Sequence, residues 1–183
     1  MNVVAIMASP RLHGNTSYLV DQALNEAGKL GVSTEKIALS QHTIHPCDGH
    51  INCASLSKCA HQDDAVAILD KFRKADAVIL ATPVYYYNAT AQMKAFIDRN
   101  YFFYMHEIPY NAKAAGIIVV AEESGLEDTV RTLSLFLSGM NVPEDKIFIV
   151  SGLAFEPNDA KQNPALVGAA CKMGRQLAES IKK

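Results

Sequence analysis

The chain has 183 residues, of which 49% are apolar and 20% are charged, and its formal net charge is −2. This length predicts one domain that buries its own core without disulfides or metal ions. The near-neutral charge indicates no basic face and argues against nucleic acid and anionic membranes as partners. No apolar run approaches a membrane span and the N-terminus lacks a signal-peptide pattern, so we expect a cytoplasmic protein.

Short apolar runs alternate with amphipathic segments along the chain. The runs predict strands at 2–8, 33–39, 75–82, 115–121 and 147–150. Helical spacing of apolar residues predicts helices at 15–30, 90–102, 126–140 and 166–181. This alternation favours a single α/β domain over residues 1–183, with three layers and a parallel sheet. Five strands suit the flavodoxin-like order 2-1-3-4-5, whose ligand lies at the carboxyl ends of the strands, near strands one and three.

The loop after the first strand, Ser9–Ser17, has the composition of an anion site. It combines hydroxyls, one guanidinium and the free backbone N–H groups of a helix start, where the helix dipole adds positive charge. Neither a Walker A ending nor a GxGxxG fingerprint is present. The alternative is an ordinary strand-to-helix turn that is capped by Asn15 or Thr16.

The loop after the third strand contains three consecutive tyrosines, Tyr85, Tyr86 and Tyr87, directly after Pro83 and Val84. In the expected sheet this loop lies beside the first one. Aromatic rings stack on flat ligands, so the two loops together predict a site for a flat ligand with a phosphate. The alternative places these tyrosines in the core or in a dimer interface, and successive residues cannot all face one ligand.

As a set, these loops resemble the NADPH-dependent FMN reductase family, and within it the iron–sulfur flavoproteins and related multimeric flavodoxins. The resemblance covers roughly residues 1–150 and rests on three motifs, Ser-Pro-Arg with Gly-Asn-Thr-Ser, Thr-Pro-Val-Tyr-Tyr, and Lys-Ala-Phe-Ile-Asp-Arg. It implies a flavodoxin-like fold, bound FMN, NAD(P)H as co-substrate, and homodimers or homotetramers.

The resemblance also implies the residues that contact FMN. It assigns the phosphate to Ser9, Arg11, Asn15, Thr16 and Ser17. It assigns the isoalloxazine ring to Pro83, Val84, Tyr85 and Tyr86. A loop after the fourth strand, at 122–125, is expected to close over the flavin and to bring Glu122 to it. Here the chain has two acids and one glycine, where the family has a glycine-rich stretch.

A polar segment at about 40–62 interrupts the alternation and contains Cys47, His50, Cys53 and Cys59. Long loops of this kind are usually functional or disordered. The spacing resembles the Cys-x2-Cys-x2-Cys-x5-Cys pattern that holds a 4Fe–4S cluster in the iron–sulfur branch, with His50 in the second position. Three interpretations stay open: a cluster held by three cysteines and a histidine, a zinc site with the same ligands, and a metal-free lid or interface.

The resemblance implies that FMN accepts a hydride from NAD(P)H and passes electrons to a small acceptor, such as a quinone, a nitro or azo compound, or free flavin. The cofactor carries this chemistry, so we predict no catalytic side chain. The first alternative is an electron carrier, a flavodoxin or iron–sulfur flavoprotein that a protein donor such as ferredoxin reduces. The second is a flavin-free relative of the fold that binds another phosphate ligand.

Overall fold

The computed structural model describes residues 1–182. The strands are β1 (Asn2–Met7), β2 (Ser33–Ala38), β3 (Ala77–Tyr85), β4 (Asn88–Ala89), β5 (Ala114–Ala121) and β6 (Ile147–Leu153). The helices are α1 (Asn15–Lys29), α2 (Ala65–Lys74), α3 (Ala91–Arg99), α4 (Tyr101–Met105), α5 (Leu126–Gly139), α6 (Asp159–Gln162) and α7 (Pro164–Ile181). Among these helices, none has the length and apolar character that a membrane crossing requires.

The main sheet is parallel and runs in the order β2-β1-β3-β5-β6. This confirms the predicted flavodoxin-like order, because the short β4 pairs antiparallel with the end of β3 and lies outside the main order. Strands β1, β3 and β5 are buried on both faces, as apolar runs covered by helices are expected to be.

Two apolar cores lie on opposite faces of this sheet. On one face, Val3 and Met7 pack with α1 and α7, in a core that includes Leu19 and Leu177. On the other, Val4 and Ile6 join a core formed largely by α2, α3 and α5. Consecutive residues of β1 therefore face opposite layers, and helices pack on both faces of the sheet.

Three local predictions differ from the structure. Helix α2 was not predicted, although Ile68, Leu69 and Phe72 lie on one buried face at helical spacing. The predicted helix at 90–102 is two helices, because Asn100 turns its side chain back to the carbonyl of Phe96 (2.8 Å).

Strand β3 does not stop at Pro83, as predicted, but continues to Tyr85. The carbonyl of Ala81 accepts from Ala8 on the β1 side (2.8 Å), and Pro83, two residues later, faces the same side. Pairing of β3 with β1 ends at Ala81, so no backbone hydrogen bond of the sheet is lost because Pro83 has no N–H.

Candidate functional site

Four loops meet at the carboxyl edge of the sheet. The first follows β1, the second joins β3 to β4, the third precedes α5 and the fourth follows β6. Backbone bonds connect neighbouring strand ends here, from Ala8 N–H to the carbonyl of Ala81 (2.8 Å) and from Ala154 N–H to the carbonyl of Ala121 (2.9 Å). This edge therefore holds both loops that the sequence singled out.

The first loop, which we call the phosphate loop (residues 9–17), ends at the open N-terminus of α1. Gly14 is the N-cap and makes no side-chain cap bond, so the capping by Asn15 or Thr16 that the ordinary-turn alternative requires is not formed. The first turn of α1, which the structure describes completely, carries no acidic residue. Free N–H groups and the helix dipole therefore favour an anion at this end.

Ser9 and Arg11 have different environments within this loop. The buried Ser9 hydroxyl accepts a hydrogen bond from the N–H of Arg11 (3.1 Å), which folds the loop back on itself. The Arg11 side chain is exposed, and no ion pair among residues 1–182 involves it. The Arg11 guanidinium is therefore available to neutralise a phosphate. Ser9 instead determines the shape of the loop.

Thr16 and Ser17 are both buried at the start of α1. The Ser17 hydroxyl donates to the carbonyl of Leu12 (2.6 Å) and accepts from Lys36 Nζ (3.1 Å). Lys36 also pairs with Asp21 (2.5 Å), so a half-buried cation lies beneath the phosphate loop. Sequence reasoning missed Lys36, because β2 is a weak strand whose pairing alone brings Lys36 to α1.

The second loop is a tight hairpin. Tyr85 pairs with Asn88, and the two residues between them, Tyr86 and Tyr87, have left-handed φ values of 50° and 68°. Asn and Gly usually occupy such positions, and aromatic side chains rarely do. All three tyrosines are exposed, Tyr86 to 97% of its surface. None belongs to the core, so this hairpin offers aromatic faces to a ligand or to another chain.

Two buried threonines connect the hairpin to the phosphate loop. The Thr90 hydroxyl donates to the carbonyl of Ala8 (3.0 Å) and accepts from the N–H of Met93 (3.3 Å). The N–H of Thr90 donates to the hydroxyl of Thr82 (3.2 Å), which donates to the carbonyl of Pro83 (2.8 Å). This chain of bonds sets the distance between the two loops, and the sequence assigned a role to neither threonine, although Thr82 opens one of the family motifs.

The third loop packs directly on the tyrosine hairpin through Gly125. This residue has φ +85°, and a Cβ here would lie 2.8 Å from both the Cα of Tyr87 and a methyl group of Val84. A single glycine therefore lets this loop lie directly against the tyrosine hairpin, and its expected closure over the flavin stays a prediction. Glu122 precedes it and is exposed, so it does not contribute to the packing.

The cysteine loop at about 40–62 brings its thiols near one another without assembling a ligand set. Cys53 is buried, which together with the nearby Cys47 and Cys59 raises the pKa of its thiol, whereas His50 is exposed. Among residues 1–182, no three or more His, Cys, Asp or Glu side chains converge at a point where they could hold a metal ion.

A buried ion pair anchors the cysteine loop to α3. Arg99 binds both carboxylate oxygens of Asp63 (2.6 and 3.1 Å) and also donates to the carbonyl of His45 (3.0 Å) and to Cys59 Sγ (3.3 Å). Burial by itself would raise the pKa of Asp63, but these bonds from Arg99 and one from the His45 N–H hold it below its usual value. The sequence does not indicate this role for Arg99, because its partners lie in an aperiodic segment.

With this geometry established, comparison with known proteins identifies the family. A model of the NADPH-dependent FMN reductase family matches residues 1–153. The chain belongs to this family. It is accordingly an FMN-dependent oxidoreductase, and the resemblance deduced from the loop motifs is confirmed.

Individual members of the family differ in how much of the chain they match. The chain is 32% identical to an iron–sulfur flavoprotein of Methanocaldococcus jannaschii, covering 100% of this chain and 98% of the relative. It is 41% identical to an iron–sulfur flavoprotein of Archaeoglobus fulgidus, covering 71% of this chain but 59% of that relative. The NAD(P)H:quinone oxidoreductase of Methanothermobacter marburgensis superposes with a TM-score of 0.74 at 18% identity, covering 97% and 96% of the two chains, which shows a shared fold.

Proposed function

We propose that this flavoprotein takes electrons from NAD(P)H and delivers them to a small acceptor, such as a quinone, a nitro or azo compound, or free flavin. The observation that carries the proposal is the open N-terminus of α1 with the unpaired Arg11, next to the exposed tyrosine hairpin. A phosphate dianion suits the first feature and a flat ring suits the second.

In this proposal the phosphate loop binds one end of FMN and the tyrosine hairpin binds the other. The phosphate loop binds the phosphate, and Lys36, which is paired with Asp21, positions the Ser17 hydroxyl from below. Pro83, Val84, Tyr85 and Tyr86 border the ring, and the loop carrying Glu122 covers it. When bound, FMN supplies a ring that accepts a hydride; the protein supplies position and electrostatics, and no side chain serves as general acid or base.

The test is reduction of the purified holoprotein under anaerobic conditions. We expect NADH or NADPH to bleach the visible flavin absorbance within seconds, and a quinone or nitro compound to restore it. Bleaching by a reduced ferredoxin, with neither nucleotide effective, would contradict the proposal and favour an electron carrier. The similarity to iron–sulfur flavoproteins favours the electron carrier as the second candidate function.

The same preparation tests the interpretations of Cys47, His50, Cys53 and Cys59. Counts of iron, sulfide and zinc per FMN distinguish a cluster, a zinc site and a metal-free loop. We propose that FMN is the redox centre and that the loop acts as a lid or interface, because Arg99 on α3 already holds Asp63 and the Cys59 sulfur in place. A metal count that falls in a Cys53→Ala variant would contradict this assignment.

We also propose that the protein is a homodimer or homotetramer. Tyr86 and Tyr87 are exposed at the hairpin tip, and Leu135 on the neighbouring α5 is exposed as well. Aromatic side chains of this kind are enriched in protein interfaces. Analytical ultracentrifugation of the holoprotein measures the state directly, and a monomer at micromolar concentration would contradict the proposal.

A further inference from the structure

Asn15 connects two segments that are far apart in the chain. It is the first residue of α1, yet its Nδ2 donates to the carbonyl of Glu156 (3.0 Å), 141 residues later. Its Oδ1 accepts from the N–H of Ala160 (3.1 Å). These two bonds fix both the position and the orientation of the amide, which faces the segment after β6.

That segment, residues 154–160, has hydrogen bonds of its own and includes the first two residues of α6; we call it the β6–α6 loop. Asp159 accepts from the N–H groups of Phe155 (3.0 Å) and Glu156 (2.8 Å), and Asn158 adopts a left-handed φ of 75°. The N–H of Ala154 donates to the end of β5, one residue before the loop that packs on the tyrosine hairpin. The β6–α6 loop therefore joins the phosphate loop to the loop that covers the ring.

This loop also leaves an apolar surface beside the candidate site. The Phe155 side chain is 58% exposed, although the N–H groups of Phe155 and Glu156 both bond to Asp159 and hold the backbone in place. Ligand sites combine apolar walls with a few polar groups. No part of this loop belongs to the phosphate and ring loops already assigned, and the family model ends at residue 153.

We propose that the β6–α6 loop is a third wall of the FMN site, and that Phe155 contacts the bound nucleotide outside its phosphate. Asn15 is then a positioning residue, which acts on FMN by holding this wall and not by binding the phosphate. The inference rests on the proposed binding of FMN to the phosphate loop and the tyrosine hairpin. It gives Asn15 a different role from the one that the family resemblance implies.

The test compares the affinities of the apoprotein for FMN and for riboflavin, which lacks the phosphate. Asn15→Ala removes the two bonds between α1 and the β6–α6 loop. Asp159→Ala removes the two bonds within that loop, and Phe155→Ala removes its exposed ring. Asn163→Ala is the matched control, because it removes two side-chain bonds to the first turn of α7 but none to either loop. Quenching of flavin fluorescence measures binding.

We expect each of Asn15→Ala, Asp159→Ala and Phe155→Ala to weaken FMN binding and riboflavin binding by the same factor. That factor should be about threefold to tenfold, the scale of one hydrogen bond for the two polar variants and of one aromatic contact for Phe155→Ala. The combined Asn15→Ala and Asp159→Ala variant should bind little worse than either alone, because both act on one loop. Asn163→Ala should bind as the wild type does while unfolding at a lower temperature.

Two results would overturn the inference. If Asn15→Ala weakens FMN but not riboflavin, and Asp159→Ala binds normally, Asn15 is a phosphate ligand. If Asp159→Ala and Phe155→Ala both bind normally, the loop is no wall of the site. Wild-type protein that binds neither flavin would instead refute the proposed function, and the inference with it.

Discussion

At the scale of single residues, the hydroxyl of Thr90 determines how the two ligand loops are joined. Replacing Thr90 by Val keeps the shape but leaves the carbonyl of Ala8 and the N–H of Met93 buried without a partner. We expect this change to lower the free energy of unfolding by about 1–3 kcal/mol and to weaken FMN binding. Urea unfolding and FMN titration measure the two effects.

The control for this prediction is Thr90→Ser, which retains the hydroxyl and loses only a methyl group. It should keep most of the stability and most of the FMN affinity. If the Val and Ser variants bind FMN equally well, the hydroxyl does not set the distance between the loops.

A second residue-scale prediction concerns Gly125. An alanine there must adopt a φ of +85° and place its Cβ 2.8 Å from the backbone of Tyr87, so the hairpin has to move. We expect Gly125→Ala to weaken FMN binding more than it lowers the unfolding temperature. Gly139→Ala, near the other end of α5, has open space around the new Cβ and should leave FMN binding unchanged.

At the scale of elements, the Asp63–Arg99 pair joins the cysteine loop to α3. Both side chains are nearly inaccessible, at 2% and 1% exposure, so breaking the pair leaves a buried charge. We expect Asp63→Asn to lower the free energy of unfolding at pH 7 by about 3–5 kcal/mol. Asp98→Asn, which breaks an exposed pair with Lys94 on the same helix, should cost at most about 1 kcal/mol.

The same pair predicts a dependence on acid. The pKa of Asp63 is lower in the folded protein than in the unfolded chain, where it lies at about 3.9. Its stabilisation is therefore complete above that pH and is lost as the pH falls through the folded value. Urea unfolding between pH 6 and about pH 3 should show a steeper loss in the wild type than in Asp63→Asn. Equal slopes would contradict this interpretation.

At the scale of the whole molecule, FMN binding and folding are coupled, because the site consists of loops from opposite ends of the chain. FMN at about 1,000 times its dissociation constant should add about 4 kcal/mol of stability. For a chain of this length that raises the unfolding temperature by about 8–16 °C, which calorimetry measures. Riboflavin at the same concentration should give a smaller shift, since the phosphate loop then has no ligand.

The sequence predicted some parts of this site and missed others. The two loops were correctly predicted to lie side by side at one edge of the sheet, because each follows an apolar strand and the strand order makes them neighbours. Lys36 and Thr90 were not found. Each acts through a partner elsewhere in the chain, which is Ser17 for Lys36 and Ala8 for Thr90. The spacing of residues along one segment does not predict such a partner.

The sequence by itself determined the layered fold and the family, because burial imposes a period on each strand and helix and the loop motifs are local. Only the tertiary structure decided what joins the loops. Thr90 reaches Ala8 across 82 residues, Arg99 reaches Asp63 across 36 and Asn15 reaches Glu156 across 141. Hydrophobic periodicity specifies which face of an element is buried, but these polar contacts depend on which loops that burial brings together.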